Sequence, residues 1–197
     1  DHRDLHSFPT RRSSDLTLLI VYSGGVQSAW HLTAKMFTFI NHLFKQENHF
    51  KILFLTKDLA VIEKMKDEFP GLTSLNILSF SVPNNEVIKY LNAADYGILF
   101  RENTVMNNVA SPTKYAEYML CGLPVLISEG VGDYSDYTIK KDTGFMIKET
   151  ELDNPKTFNY NEFIAKKFDR NYIASIGMKE FSKASIITSL IAEFQSR

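Results

Sequence analysis

The sequence predicts a Rossmann-like α/β fold, a doubly wound parallel sheet of about six strands with helices on both faces and a helical tail. From Thr17 onward, short apolar runs rich in β-branched and aromatic residues alternate with longer segments of helical period. The apolar runs are continuous rather than alternating, which indicates strands buried on both faces. Each connection between runs is long enough for a crossover helix.

Six apolar runs predict the strands, and their order along the chain is regular. They read LLIVYS, KILFLT, LNILSFS, YGILFR, PVLIS and GFMI. These runs span Leu18–Ser23, Lys51–Thr56, Leu75–Ser81, Tyr96–Arg101, Pro124–Ser128 and Gly144–Ile147.

The segments between the runs carry the helical period of amphipathic helices. The predicted crossover helices are Gln27–Gln46, Leu59–Phe69, Asn85–Ala93, Thr113–Cys121 and Asp133–Ile139. A polar link at Asn154 and Pro155 follows the last strand. Beyond it, helical patterns predict a tail at Glu162–Phe168, Tyr172–Phe181 and Ala184–Phe194.

Composition excludes several classes of protein. A length of 197 residues suits one well-packed core, and 44% hydrophobic with 23% charged residues is typical of a globular protein. The net charge of -1, with both signs scattered along the chain, offers no footprint for nucleic acid. The single Cys121 lies in an apolar stretch and predicts a packing role in a reducing compartment, so we expect a cytoplasmic protein. No apolar run approaches the roughly 20 residues needed to span a bilayer.

Residues 1–16 are predicted to lie outside the fold. They form a polar stretch, DHRDLHSFPTRRSSDL, without helical or strand period, which stops where the apolar run begins at Thr17. The stretch resembles the translation of a sequencing adapter, which implies that other sequence preceded Thr17 in the natural protein. The alternative is a disordered tail. We therefore assign residues 17–197 to one domain.

Ligands of an open α/β sheet bind at the carboxyl ends of its strands. The first strand ends in Ser23, Gly24 and Gly25 and leads into a helix, so backbone N–H groups and the helix N-terminus predict a phosphate site. The alternative is a tight turn. The dinucleotide fingerprint G-x-G-x-x-G is absent, so NAD is not expected.

A second candidate for the site follows the fourth strand, which ends at Arg101. Ser111 suits an N-cap and Pro112 the first helical turn. Lys114 then lies where the helix dipole disfavours a cation, which a bound diphosphate would explain. Glu117 lies about one turn further, so Lys114 could reach the phosphates and Glu117 a ribose diol of one ligand. The alternatives are a solvated lysine and a plain i,i+3 salt bridge.

The stretch SPTKYAEYMLCGLPVLISEGVG, from Ser111 to Gly132, resembles the donor-site helix and following strand of family 4 and related retaining GT-B glycosyltransferases. In that family the helix carries a glutamate that holds the donor ribose, and a Gly-x-Pro turn leads into a strand. Glu117, Gly122 and Pro124 match this pattern. Val21–Trp30 (VYSGGVQSAW) resembles the family's first strand and its phosphate loop. Ala93–Phe100 (AADYGILF) resembles the helix end and strand that precede the donor helix.

The sequence departs from the family pattern at two places. The family has a second glutamate, which contacts the donor sugar, eight residues before the ribose-binding one, and here that position is Val109. The basic pair that follows the family's first glycine loop is also missing, because Val26 and Gln27 stand there. Lys114 and Arg101 are the candidates to replace that charge.

The resemblance implies transfer of a sugar from a nucleoside diphosphate sugar to an acceptor hydroxyl, in cell-surface glycan or polysaccharide biosynthesis. It implies a retaining hexosyltransferase without a cofactor, in which the nucleotide sugar is the donor substrate. The absence of Asp-x-Asp and the scattered His31, His42 and His49 predict no metal site. The expected donor-binding residues are Ser23, Gly24, Gly25, Arg101, Ser111, Thr113, Lys114 and Glu117.

In the family, an N-terminal domain provides the acceptor site and the residues that assist attack. We expect that domain to be missing here, together with any peripheral membrane association made through it. The catalytic residues are therefore unknown, and the chain alone is expected to be inactive. Two alternatives stay open: a non-catalytic Rossmann-like nucleotide-binding or interaction module, and an epimerase-like GT-B enzyme that acts on sugar nucleotides.

Overall fold

The computed structural model describes residues 17–27, 32–46, 50–69, 71–72, 76–109, 112–187 and 191. Within them lies a parallel sheet of six strands with helices on both faces, which confirms the predicted Rossmann-like fold class. The strands, in chain order, are β1 (Leu18–Ser23), β2 (Phe50–Leu55), β3 (Ile77–Phe80), β4 (Tyr96–Leu99), β5 (Val125–Ser128) and β6 (Gly144–Ile147). Across the sheet their order is β3-β2-β1-β4-β5-β6. The order therefore reverses between β1 and β4, and a ligand crevice is expected at their carboxyl ends.

Nine α-helices and one 3₁₀ turn lie wholly within the described residues, and residues 183–187 are helical as well. The helices of the first half are α1 (Thr33–Gln46), α2 (Leu59–Glu68), α3 (Asn84–Ala93) and α4 (Val105–Val109). Those of the second half are α5 (Thr113–Leu120), α6 (Tyr134–Lys140), α7 (Glu149–Asp153), α8 (Tyr160–Ala165) and α9 (Arg170–Phe181). The 3₁₀ turn is Pro155–Thr157, in the predicted polar link.

Two apolar cores lie on opposite faces of the sheet. In β1, Ile20 and Tyr22 pack into the core formed with α1, α2 and α8, while Val21 packs into the core formed with α3, α5 and α9. Successive side chains of a strand point to opposite faces, so both sets must be apolar. This is why the strands appear in the sequence as unbroken apolar runs.

Helix α9 is docked closely on the sheet and on α5. Arg170 donates from Nη1 to the carbonyl of Ala94 at 2.8 Å and from Nη2 to the carbonyl of Cys121 at 3.3 Å. Gly177 is buried, and a Cβ there would lie 2.5 Å from the carbonyl carbon and oxygen of Met119. The backbones of α9 and α5 thus approach more closely than any side chain at position 177 allows.

We expect Gly177→Ala to lower the free energy of unfolding by about 1–3 kcal/mol, because the new methyl group overlaps backbone atoms of α5. Alanine favours a helix over glycine by about 1 kcal/mol, so the two effects have opposite signs. Urea unfolding measures the difference, with Ser175→Ala on the exposed side of α9 as the control. An unchanged or higher free energy of unfolding in Gly177→Ala would contradict the close packing.

The structure corrects the sequence prediction at several helices. The five-residue helices α4 and α7 were not predicted; α4 begins after Thr104, whose Oγ1 accepts from the backbone N–H of Asn107 at 3.3 Å. The predicted helix at Glu162–Phe168 lies earlier, as α8, because the side chain of Asn159 accepts from the backbone N–H of Glu162 and fixes the start. Helix α1 is described from Thr33 only. Residues 1–16 lie outside the described residues. Of the predicted helix Ala184–Phe194, residues 184–187 and 191 are described and are helical.

Candidate functional site

A cavity of about 350 Å³ opens at the carboxyl end of β1, where the strand order reverses. Its floor is Ser23 and Gly24. One wall comes from α3, through Asn84, Val87, Ile88 and Leu91. The opposite wall comes from α5, through Thr113, Lys114, Glu117 and Leu120. Five of the eight predicted donor-binding residues, Ser23, Gly24, Thr113, Lys114 and Glu117, therefore line one cavity.

A second cavity of about 340 Å³ adjoins the first across the ends of β2 and β3. The two share Ser23, Gly24, Asn84 and Val87 as lining residues. Gly25 lies in this second cavity, together with Thr56, Lys57, Asp58, Ser81 and Val82. The two cavities are therefore continuous along the carboxyl edge of the sheet.

Lys114 is the most unusual group in the first cavity. Its Nζ donates to the hydroxyl of Tyr22 at 2.8 Å and lies 4.1 Å from the centre of the Tyr22 ring. The pKa of Lys114 is lowered to about 7, mainly by burial and also by the charge of Arg101, while Glu117 opposes the shift. In the described part of the chain no carboxylate lies within 4 Å of Nζ, so the expected alternative of a Lys114–Glu117 salt bridge is not formed. A buried lysine without a carboxylate partner is a suitable place for an anion.

Tyr22 is a residue of the site that sequence reasoning missed. Its hydroxyl donates to the carbonyl of Gly25 at 2.5 Å while it accepts from Lys114. Burial raises the pKa of Tyr22 above its usual range, so the hydroxyl stays protonated and keeps both roles. Its position inside the apolar run of β1 gave no sign of this, since an aromatic residue there is normally part of the core.

The glycine turn after β1 commits most of its backbone donors to the protein itself. The N–H of Gly24 donates to the carbonyl of Leu55 at 2.8 Å, and that of Val26 donates to Oδ2 of Asp58 at 2.8 Å. The positive charge of the site therefore comes from side chains rather than from these two amides. Gly24 has φ of +113°, and a Cβ there would lie 2.6 Å from Cε of Lys114. The glycine allows both the turn and the passage of Lys114 across it.

The remaining predicted residues lie apart from the first cavity. Arg101 lines a separate cavity of about 110 Å³ beyond β4. Ser111, the predicted N-cap, lies outside the described residues. Helix α5 begins at Thr113, so Pro112 precedes the helix instead of forming its first turn. Glu117, in contrast, lines the first cavity, three residues after Lys114. Burial raises the pKa of its carboxyl, and Lys114 partly offsets this rise.

This architecture is similar to that of several proteins of known structure. It matches the lipopolysaccharide outer core galactosyltransferase WaaB with a TM-score of 0.64 and 13% identity, over 94% of this chain and 51% of that one. It matches S. aureus TarM, solved in complex with UDP, with a TM-score of 0.62 and 14% identity, over 88% of this chain and 34% of TarM. It matches the C-terminal domain of the group 1 glycosyl transferase LpcC from Francisella tularensis with a TM-score of 0.56 and 11% identity, over 82% and 80% of the two chains.

The chain shares the Rossmann-like fold of these proteins. It spans about half of WaaB and a third of TarM. No protein-family model matches the sequence, and no curated protein matches it either. The likeness to GT-B enzymes is therefore one of architecture, at sequence identities that do not carry over a substrate.

Other features of the structure concern the predicted chemistry. Val109, at the position of the family's sugar-binding glutamate, lies in α4 and is 81% exposed. Cys121 is buried, and burial raises the pKa of its thiol to about 11, in keeping with the predicted packing role. Among the described residues, no group of three or more His, Cys, Asp or Glu side chains could hold a metal ion. Nor does any described helix have both the length and the apolar character needed to cross a bilayer.

Proposed function

We propose that this chain is a GT-B domain and binds the donor of a glycosyltransferase, a nucleoside diphosphate sugar whose sugar is transferred to an acceptor hydroxyl. The observation that carries the proposal is the cavity at the reversal of strand order, where Lys114 lies across Gly24 and beside Glu117. A lysine without a carboxylate partner suits the diphosphate, and a carboxylate one helical turn away suits the ribose diol.

Departure of the diphosphate is the step that such a site assists. Negative charge develops on the leaving oxygen as the sugar is transferred, and a cation already held in place stabilises it without reorganisation. Lys114 lies in the first turn of α5, so the positive end of the helix dipole acts in the same direction. The same arrangement needs no metal ion to neutralise the diphosphate, so we propose a metal-independent reaction.

The wider setting forms part of the proposal. The resemblance to family 4 favours retention of configuration and a role in cell-surface glycan or polysaccharide biosynthesis in the cytoplasm. The acceptor and the residues that assist its attack would come from a second domain, through which peripheral membrane association would also arise. We expect this chain alone to bind donor nucleotides without turnover.

Isothermal titration of the protein with UDP, GDP and ADP tests the proposal, and the ribose contact gives it a sharper form. For whichever nucleotide binds, we expect Glu117→Ala to lower the affinity roughly tenfold, since a hydrogen bond to a charged group contributes about 1.5–3 kcal/mol. The variant should also lose the preference for the ribonucleotide over its 2′-deoxy form. Inorganic pyrophosphate, which has no ribose, should bind both proteins equally.

Glu86→Ala provides the matched control, because Glu86 lies on α3 beside the same cavity but pairs with Lys89 at 3.6 Å and does not line it. The control should bind like the wild-type protein. Failure of all three nucleotides to bind would contradict the donor site and favour a non-catalytic interaction module. Equal loss of nucleotide and pyrophosphate in Glu117→Ala would contradict the ribose contact.

A further inference from the structure

The pairing of β1 with β4 stops at the point where the first cavity opens. The last residues that pair are Val21 and Gly97. Both strands continue beyond this point on their other sides, β1 beside β2 as far as Ser23 and β4 beside β5 as far as Leu99. The two strands therefore separate from each other over their last two residues, next to the cavity whose floor includes Ser23.

The hydroxyl of Tyr118 occupies the place of the next ladder bond between these strands. Continued in the same register, the ladder would join the N–H of Ser23 to the carbonyl of Ile98. Instead, this N–H donates to Oη of Tyr118 at 3.2 Å, and Oη donates to the carbonyl of Ile98 at 3.2 Å. One hydroxyl thus satisfies both backbone groups, and it holds them further apart than a direct bond of about 2.9 Å would.

The ring of Tyr118 reaches the strands at a position that glycine leaves open. Tyr118 is fully buried, and a Cβ at Gly97 would lie 2.6 Å from Cδ2 and 2.8 Å from Cγ of the ring. Burial raises the pKa of Tyr118 above its usual range, so the hydroxyl keeps the proton that it donates to Ile98. The glycine in β4 and the tyrosine in α5 therefore belong to one packing arrangement.

Tyr118 also joins α5 to the strand ends on which the cavity is built. It lies about one helical turn after Lys114 and directly after Glu117, the two side chains of α5 that are proposed to hold the ligand. Tyr118 itself does not line the cavity, because its side chain is buried between α5 and the sheet. The distance between the wall formed by α5 and the floor at Ser23 thus depends on a hydroxyl that the ligand does not touch.

We infer that Tyr118 is a positioning residue of the nucleotide site, which holds the ends of β1 and β4 apart and thereby fixes the distance of α5 from the cavity floor. The inference rests on the proposed function and adds a residue that acts on the ligand only through others. It also accounts for an anion site that relies on side chains, because the amide of Ser23 is engaged by Tyr118 and is not available to a phosphate.

Tyr118→Phe tests the inference, because it removes the hydroxyl and keeps the ring. We expect the strand ends to approach, so that the N–H of Ser23 bonds directly to the carbonyl of Ile98. NMR detects this bond in the protein without ligand, as a scalar coupling between the amide nitrogen of Ser23 and the carbonyl carbon of Ile98. The coupling should be absent in the wild type and present in the variant. For whichever of UDP, GDP and ADP binds, the affinity should fall roughly tenfold, since α5 is then displaced from the floor.

Tyr115→Phe is the matched control. Tyr115 is also fully buried on α5, and its hydroxyl is bonded to Thr138 at 3.0 Å, away from the cavity. This variant should lose a similar amount of stability in thermal unfolding and bind nucleotide like the wild type.

Three outcomes would count against the inference. Equal nucleotide affinities of Tyr118→Phe and Tyr115→Phe, with Glu117→Ala behaving as proposed, would overturn the positioning role alone. A lower affinity of Tyr118→Phe without the new coupling would overturn the separation of the strands as its cause. If no nucleotide binds the wild-type protein, the donor site and the positioning role fail together.

Discussion

Replacement of Lys114 by methionine is expected to weaken diphosphate binding by a factor on the order of 10–100 below about pH 7, because a charge-assisted hydrogen bond contributes about 1.5–3 kcal/mol. Methionine keeps the length of the side chain and removes its charge. The ammonium of Lys114 forms no salt bridge in the described structure, so its removal breaks no ion pair. We therefore expect the variant to fold normally and to lose affinity through the ligand alone.

The pH dependence of the wild-type protein should have a definite sign. In the empty site the pKa of Lys114 is lowered to about 7 by burial first and by Arg101 second. A bound anion favours the protonated lysine, so binding takes up a proton wherever the empty site has lost it. Affinity should be nearly constant below about pH 7 and fall by up to tenfold for each pH unit above it. The difference between wild type and Lys114→Met should shrink as the pH rises.

Stability should change with pH in the opposite direction. A lysine whose pKa is lower in the folded than in the unfolded protein binds fewer protons when folded between about pH 7 and its ordinary value of 10.5. The contribution of Lys114 to the free energy of unfolding therefore rises with pH over that window. Lys114→Met should remove this contribution, so that its stability changes less with pH over the same range.

Titration with a nucleoside diphosphate sugar between about pH 7 and pH 8.5 measures the effect, because the esterified diphosphate keeps a constant charge over this range. Repeating each titration in two buffers of different ionisation enthalpy gives the number of protons taken up. Lys64→Met, which removes an exposed lysine on α2, is the control for net charge. An affinity that stays constant over this range, without proton uptake, would contradict a lysine of lowered pKa at the site.

Much of this fold could be predicted from the sequence because its signals are strong and repeated. Six apolar runs and the helical segments between them predict the parallel sheet, and the rule for strand ends predicts that Gly24, Lys114 and Glu117 meet. The short helices α4 and α7 escaped prediction because five residues do not establish a helical period. The pattern of apolar residues in a sequence is therefore most informative for helices and strands that are long enough to bury one face.

The site itself was less predictable because its decisive contacts join residues far apart in the sequence. Tyr22 and Lys114 are 92 residues apart, and Val26 and Asp58 are 32 apart. Nothing in the glycine turn indicates that a carboxylate after β2 accepts one of its amides. Asp58 thereby changes the expected chemistry, since two amides of the turn are engaged within the protein and Lys114 is the cation that lines the cavity there.

A substitution at Gly24 is expected to change both the stability of the protein and its affinity for nucleotides. We expect Gly24→Ala to lower the free energy of unfolding by about 1–3 kcal/mol, because a side chain at φ of +113° is strained. The new Cβ would also meet Cε of Lys114 and displace the ammonium, so nucleotide affinity should fall as well. Gly25→Ala is the matched control, since Gly25 lacks a positive φ and its Cβ would lie 3.3 Å from Oδ2 of Asp58.

A double-mutant cycle separates the two costs at Gly24. In a Lys114→Ala background the side chain that Cβ would meet is gone, so only the backbone strain at φ of +113° remains. Gly24→Ala should therefore destabilise this background less than the wild type, by a coupling energy of about 0.5–3 kcal/mol. Urea unfolding of the four proteins measures it. Equal destabilisation in both backgrounds would mean that Lys114 does not lie across the glycine turn, and the proposed phosphate site would then lose the geometry on which it depends.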